Sequence, residues 1–198
     1  MDPPSDGMPE VSLEQARVTH VRASMPRSIQ KMVMAEGGEE GWEALLSEVS
    51  APCREAFSQP LSTFRWIEIK DLNELTLAHI GHRNEQSVSE RATSLADDHL
   101  RVSHPWLLRL LSPETLVRQS PTLFRFYYRG GVVRLDRLEA QEGAFSVWAH
   151  GLYDQWYTLA FPSYVSRALE ISGGAGVDVE HIPPPEGGFH HRYVVRWK

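Results

Sequence analysis

LFRFYYRGGVVRLDRLEAQEGAFSVWA, residues 123–149, is the stretch on which the fold turns. Phe124, Phe126 and Tyr128 fall on alternate positions before Gly130-Gly131. VVRLDRLE follows, and Phe145, Val147 and Ala149 alternate after the turn at Gln141 to Gly143. A period of two puts alternate side chains on one face of an extended chain, so this reading predicts three antiparallel strands. Toward the C-terminus, Tyr157, Phe161, Tyr164, Val165, Ala168 and Leu169 form a helical stripe within 154–172, kinked at Pro162 and ended by Gly173-Gly174. VDVEHI (177–182) and HRYVVRW (191–197) read as two more strands joined by a PPPEGG turn, with Trp197 buried on the same face as Tyr193 and Val195.

Upstream the pattern is mainly helical. VTHVRAS (18–24) and FRWIEI (64–69) are short extended segments. Between them Ile29, Met32 and Val33 share a helical face after Pro26, Gly37-Gly38 stops that helix, and Trp42, Leu45, Leu46 and Val49 mark the next. Asp71 resembles an N-cap for a helix carrying Leu72, Leu75, Leu77 and Ile80. A polar helix over about 84–101 breaks at His104-Pro105, WLLRLL (106–111) starts another, and Ser112-Pro113-Glu114 opens a helix to Gln119. Helices followed by strand-strand-strand-helix-strand-strand is an α+β layout, with a helical layer packed on a twisted antiparallel sheet. One domain over 18–198 follows a flexible N-terminal tail, 1–17, whose first ten residues offer little to bury.

Composition narrows the function classes. A hydrophobic fraction of 41% is that of a chain able to fold on its own core. The net charge of -6 argues against a general nucleic-acid footprint, which needs a basic face. Cys53, the only cysteine, allows neither an internal disulfide nor a thiolate zinc cage and agrees with a cytoplasmic location. The sequence carries no secretory apolar region and no apolar run long enough for a membrane helix.

LLRLLSPETLVRQSPTLFRFYYRGG (107–131), SRALEISGGAGVDVEHI (166–182) and the closing YVVRW (193–197), in this order and spacing, resemble the vinyl-4-reductase-type domain, and especially a large myxobacterial paralogous family of unknown function related to it. The resemblance covers residues 18–198. It implies the fold shared by haem-NO-binding domains and by subunits of the trafficking (TRAPP) complex.

The chemistry implied by those relatives is thinly supplied here. Where vinyl-reductase-type domains carry two cysteines near the end of the chain, this sequence has Pro184 and His191. His181, His190 and His191 remain, and neighbouring strand residues face opposite sides, so no metal is expected. Haem-NO-binding domains use a helical His and a Tyr-x-Ser-x-Arg motif. His79, His82, His99 and His104 are available, but that motif is absent, so no haem or other cofactor is expected and His79 or His82 reads as an interface or surface residue. Cys53 follows Pro52 at a helix start, where a thiol can be activated, yet a lone cysteine reads as filler. The sequence contains no nucleophile elbow, phosphate loop or HExxH motif.

The expectation is therefore a non-catalytic regulatory or protein-interaction domain in bacterial signalling, a homodimer or the partner of another signalling protein. The alternative is a sensor for an apolar small molecule held between the helical layer and the sheet. Trp148, Tyr153, Trp156 and Tyr157, around HGLYDQWY, are the expected contact surface.

Overall fold

The computed structural model describes residues 11–62, 64–81, 85–103, 112–185, 188 and 190–198. Its elements run α1 (Leu13–Ala16), β1 (His20–Arg22), α2 (Ser24–Ser47), α3 (Ala51–Ser58), β2 (Trp66–Glu68), α4 (Ile69–Ile80), α5 (Glu85–Ser103), α6 (Pro113–Tyr127), β3 (Tyr128–Arg129), β4 (Val132–Leu138) and β5 (Glu142–Trp148). A π-helical turn (Trp156–Ala160), α7 (Phe161–Ile171), β6 (Asp178–Ile182) and β7 (His190–Arg196) complete the chain. The strands form two antiparallel sheets, β2-β1-β3 and β4-β5-β7-β6, and the expected α+β layout holds.

The larger sheet follows its sequence pattern. Phe145, Val147, Tyr193 and Val195 alternate inward and are all within 2% of complete burial. Phe145 stacks on Tyr193 with 5.6 Å between ring centres. The Tyr193 hydroxyl donates to the Tyr157 carbonyl at 2.9 Å, which ties β7 to the π turn. Pro162 sits in the first turn of α7, directly after that turn, and the Phe161 N–H bonds back to the Trp156 carbonyl. Proline has no N–H to give to the carbonyl four residues earlier, so the break expected at Pro162 takes this form. Gly38, with φ 64° and ψ −159°, divides α2 into the two helices that the sequence predicts.

Three expectations need correction. The first of the three predicted strands is mostly helix, because α6 runs on to Tyr127 and leaves a two-residue β3. Phe124, Tyr127 and Tyr128 are buried while Phe126 is 41% exposed, a spacing that belongs to a helix face and not to a strand. Asp71 is not an N-cap: β2 runs straight into α4 at Ile69, whose N–H bonds to the Thr19 carbonyl, and Asp71 lies buried within the first turn. Residues 11–17 are not tail. Ser12 and Gln15 form a reciprocal capping box, Ala16 is fully buried, and Arg17 bridges to His150. The expectation for residues 1–10, and the helix expected over 106–111, lie outside the described residues.

Trp197 is buried at 7% exposure, as its alternation with Tyr193 and Val195 requires, and its N–H bonds to the Gln141 carbonyl. Replacing it with Ala should lower unfolding free energy by about 3 to 5 kcal/mol. Chemical denaturation of Trp197→Ala checks this, and a midpoint equal to the parent's would refute the packing.

Candidate functional site

The helices do not close fully on the sheet. A cavity of about 190 Å³ lies between α2, α4, α5, α6 and α7 on one side and β4 and β5 on the other. Met25, Ile29, Leu72, Ala92 and Leu95 wall it from the first three helices; Leu116, Val117, Leu123, Phe124 and Tyr127 come from α6. Val133, Phe145, Trp156, Phe161, Tyr164 and Leu169 close the remaining sides. α6 contributes most because its apolar residues recur every three to four positions, while Ser112 accepts the Thr115 N–H and fixes where the helix starts.

The wall is aromatic and carries few polar groups. Ser28 is engaged, its hydroxyl 3.0 Å from an Asp98 oxygen that also meets Lys31 at 3.4 Å. The Ser120 hydroxyl is buried at the wall without a hydrogen-bond partner among the described residues. Burial pushes the Tyr127 hydroxyl up to about 12 and raises those of Tyr128, Tyr153 and Tyr164, so all four are neutral phenols at physiological pH. None of the described lining residues is charged. At about 190 Å³ the space exceeds the roughly 150 Å³ of an apolar cavity that admits benzene, and is smaller than the ~300 Å³ at which pockets for drug-sized ligands begin.

The expected contact surface is therefore largely interior. Trp148, Trp156 and Tyr157 are 5 to 8% exposed and Tyr153 is half-buried. Tyr153 and Trp156 line the cavity instead of presenting themselves to solvent. The reason is the π turn, which folds the HGLYDQWY segment back over the end of the sheet, where the Tyr157 hydroxyl donates to the Ala149 carbonyl. The sequence showed an aromatic cluster at a turn; it carried no sign that the turn points inward.

His79 corrects a second expectation. It is buried at 7% exposure and meets Arg91 instead of lying at the surface. His82 and His104 and the side chain of His99 fall outside the described residues. Cys53 is fully buried, its thiol 3.4 Å from the Asp71 carbonyl, and burial pushes it up to about 12. A thiol so raised is not a nucleophile at neutral pH. Among the described residues no group of three or more His, Cys, Asp or Glu side chains gathers as a metal site would require, and no helix is long and apolar enough to cross a membrane.

Comparison with solved structures places the fold. The chain is similar to the unliganded Fe(II) H-NOX protein of K. algicida, with a TM-score of 0.65 at 9% identity over 89% of this chain and 96% of that one. It is similar to the S. oneidensis H-NOX protein in the Fe(II)NO state, with a TM-score of 0.65 at 11% identity over 89% and 99%. The H-NOX of Shewanella woodyi, solved with IWP-051 bound, gives 0.63 at 11% over 88% and 93%. At these identities the likeness establishes the fold, and it agrees with the haem-NO-binding side of the sequence resemblance. No family model matches the sequence, and no curated protein matches it.

Beside the π turn, on the inner face of the larger sheet, His181 Nε2 and His191 Nδ1 lie 2.9 Å apart, and His191 stacks on Tyr157 at 4.0 Å. His190 turns to the other face and stacks on Trp148 at 4.3 Å, the opposed placement expected of strand neighbours. Burial, with His181 and His190 nearby, lowers His191 to about 4, and burial also lowers His181. Both imidazoles therefore take up a proton less readily in the fold than in the unfolded chain, where they protonate near 6.5. Between about 6.5 and 4 the unfolded chain binds more protons, so stability present above that window is lost as pH falls through it. The melting temperature should drop from pH 7 to pH 4.5, and His191→Phe should flatten the slope. Equal slopes in parent and variant would exclude His191 as a contributor.

Proposed function

We propose that this chain is a sensor-type domain that uses an H-NOX-like fold to hold a small, uncharged, mainly apolar molecule between its helices and its larger sheet. It acts by binding, without catalysis. The observation that carries this reading is the cavity itself, enclosed by aromatic and aliphatic side chains with no charge among the described ones and one unsatisfied hydroxyl, Ser120. Such a wall discriminates against ions, which would enter without partners, and favours a monocyclic or short-chain molecule with at most one polar group. The sequence motifs support placement in the myxobacterial paralogous family related to vinyl-4-reductase-type domains, with a role in signalling.

Several of the structures that share this fold are described as Fe(II) proteins, and the described residues here do not fit haem. Haem needs an axial donor and cations or hydrogen-bond donors for its propionates. The described wall supplies no His, Cys, Lys or Arg, its one sulfur is Met25, and its tyrosines are neutral. A volume of about 190 Å³ points the same way.

Two measurements check this. Adding haem should give no stoichiometric Soret band, and a sharp band at one equivalent would overturn the reading of the site. Benzene, toluene and indole should raise the melting temperature, since a ligand at 100 times its Kd stabilises the fold by about 2.7 kcal/mol. Ala92→Leu, which extends a side chain into the cavity, should abolish that response while keeping the parent's stability. A lack of response to all three probes, or an unchanged response in the variant, would refute it.

A further inference from the structure

The smaller sheet turns one face away from the described core. Its register pairs Arg22 with Trp66 and His20 with both Glu68 and Arg129. Alternation turns Val21, Ile67 and Tyr128 into the core, all buried, and leaves Arg22, Trp66 and Arg129 together on the other side. The Arg22 guanidinium lies 4.1 Å from the centre of the Trp66 ring system and 5.5 Å from that of Phe126, and Arg129 lies 4.3 Å from Trp66. Arg22 is fixed there by donating Nη1–H to the Phe64 carbonyl at 2.8 Å and Nε–H to the Phe126 carbonyl at 3.3 Å. Beside it Phe64 is 74% exposed and Phe126 41% exposed.

Two features set this face apart from incidental surface. Arg22 and Arg129 make no ion pair among the described residues, although the chain carries a net charge of -6, and the one carboxylate in the register, Glu68, is taken by Lys70 at 2.9 Å. The Arg22 guanidinium is also held by two backbone carbonyls before any partner arrives, which lowers the side-chain entropy cost of docking. Tryptophan and arginine beside exposed phenylalanine is the composition of an interface hot spot.

We propose that this face docks an acidic segment of a partner protein, with a carboxylate between Arg22 and Arg129 and an apolar side chain against Phe64 and Phe126. Charge count favours such a partner over the other anionic surfaces. Duplex nucleic acid binding draws on roughly 6 to 10 phosphate contacts, and anionic membranes on clusters of about 4 to 8 basic residues. Here the face offers two guanidiniums without an ion pair among the described residues. The proposal is independent of the cavity and of what fills it.

The test uses the full chain and a fluorescent peptide alternating Glu with Leu and Phe, beside a counterpart with Lys in place of each Glu. Anisotropy should show saturable binding of the acidic peptide alone. Arg129→Glu should weaken it at least tenfold and Phe64→Ser several-fold, both positions being exposed enough for folding to survive, as circular dichroism will report. Raising salt from about 50 mM to 500 mM should weaken it as well. Failure of the acidic peptide to bind, equal binding of the two peptides, or unchanged affinity in Arg129→Glu would overturn the proposal. So would tighter binding of phosphatidylserine vesicles or of single-stranded DNA than of the acidic peptide.

Discussion

Gly130 and Gly131 are the point through which the architecture is threaded. Their φ angles of 77° and 74° lie in the left-handed region that L side chains avoid. A Cβ at Gly130 would sit 2.0 Å from the Arg17 carbonyl oxygen, and one at Gly131 would meet the Phe124 ring at 2.9 Å. Within these two residues the chain leaves the smaller sheet at Arg129 and enters the larger one at Val132, while the Gly131 N–H takes the Gln15 carbonyl and docks the N-terminal turn. The end of α6, both sheets and α1 therefore meet at one bare stretch of backbone. A side chain at Gly130 would displace the Arg17 backbone, and one at Gly131 would press on the Phe124 ring, which is part of the cavity wall.

That space comes at an energetic cost. With destabilisation of about 24 cal/mol per Å³ of void, a dry cavity of about 190 Å³ forfeits on the order of 5 kcal/mol. That is a large share of the roughly 5 to 15 kcal/mol by which domains are stable. The surrounding rings are not loose: Trp156 stacks on Phe161 at 4.6 Å, and Phe145, Phe161 and Tyr193 contact one another pairwise. Rings that brace one another keep a void open where aliphatic side chains would sag into it, and an occupant recovers the lost contacts.

What the sequence revealed depended on whether its signal was local. β4 to β7 were legible because alternation, turn residues and burial agree, and the break in α2 because Gly38 sits where the pattern stops. The LFRFYY segment was misread since Phe124 and Tyr128 fit both a period of two and a helical turn; only the exposure of Phe126 separates them. The cavity was anticipated as a layer between helices and sheet, but its wall draws on residues from Met25 to Leu169 whose convergence is a property of the tertiary fold. The aromatic residues around HGLYDQWY showed composition without direction. The Arg22–Trp66–Arg129 group escaped notice because its members are distant in the chain and meet only through strand register.

The π turn bears on how this segment tolerates change in length. In a regular helix, residues five apart are separated by about 140° around the axis, from 100° per residue. The wider turn closes that angle, so Trp156 and Phe161 stack at 27° and face the same void. Removing one residue between them would restore an ordinary helix in which the pair, then four apart, still shares a face, so the change falls instead on the Tyr157 carbonyl that accepts from Tyr193. The segment is in this sense an insertion that the wider turn absorbs without moving either ring off the cavity wall, and what it positions is the Tyr157 carbonyl beneath Tyr193.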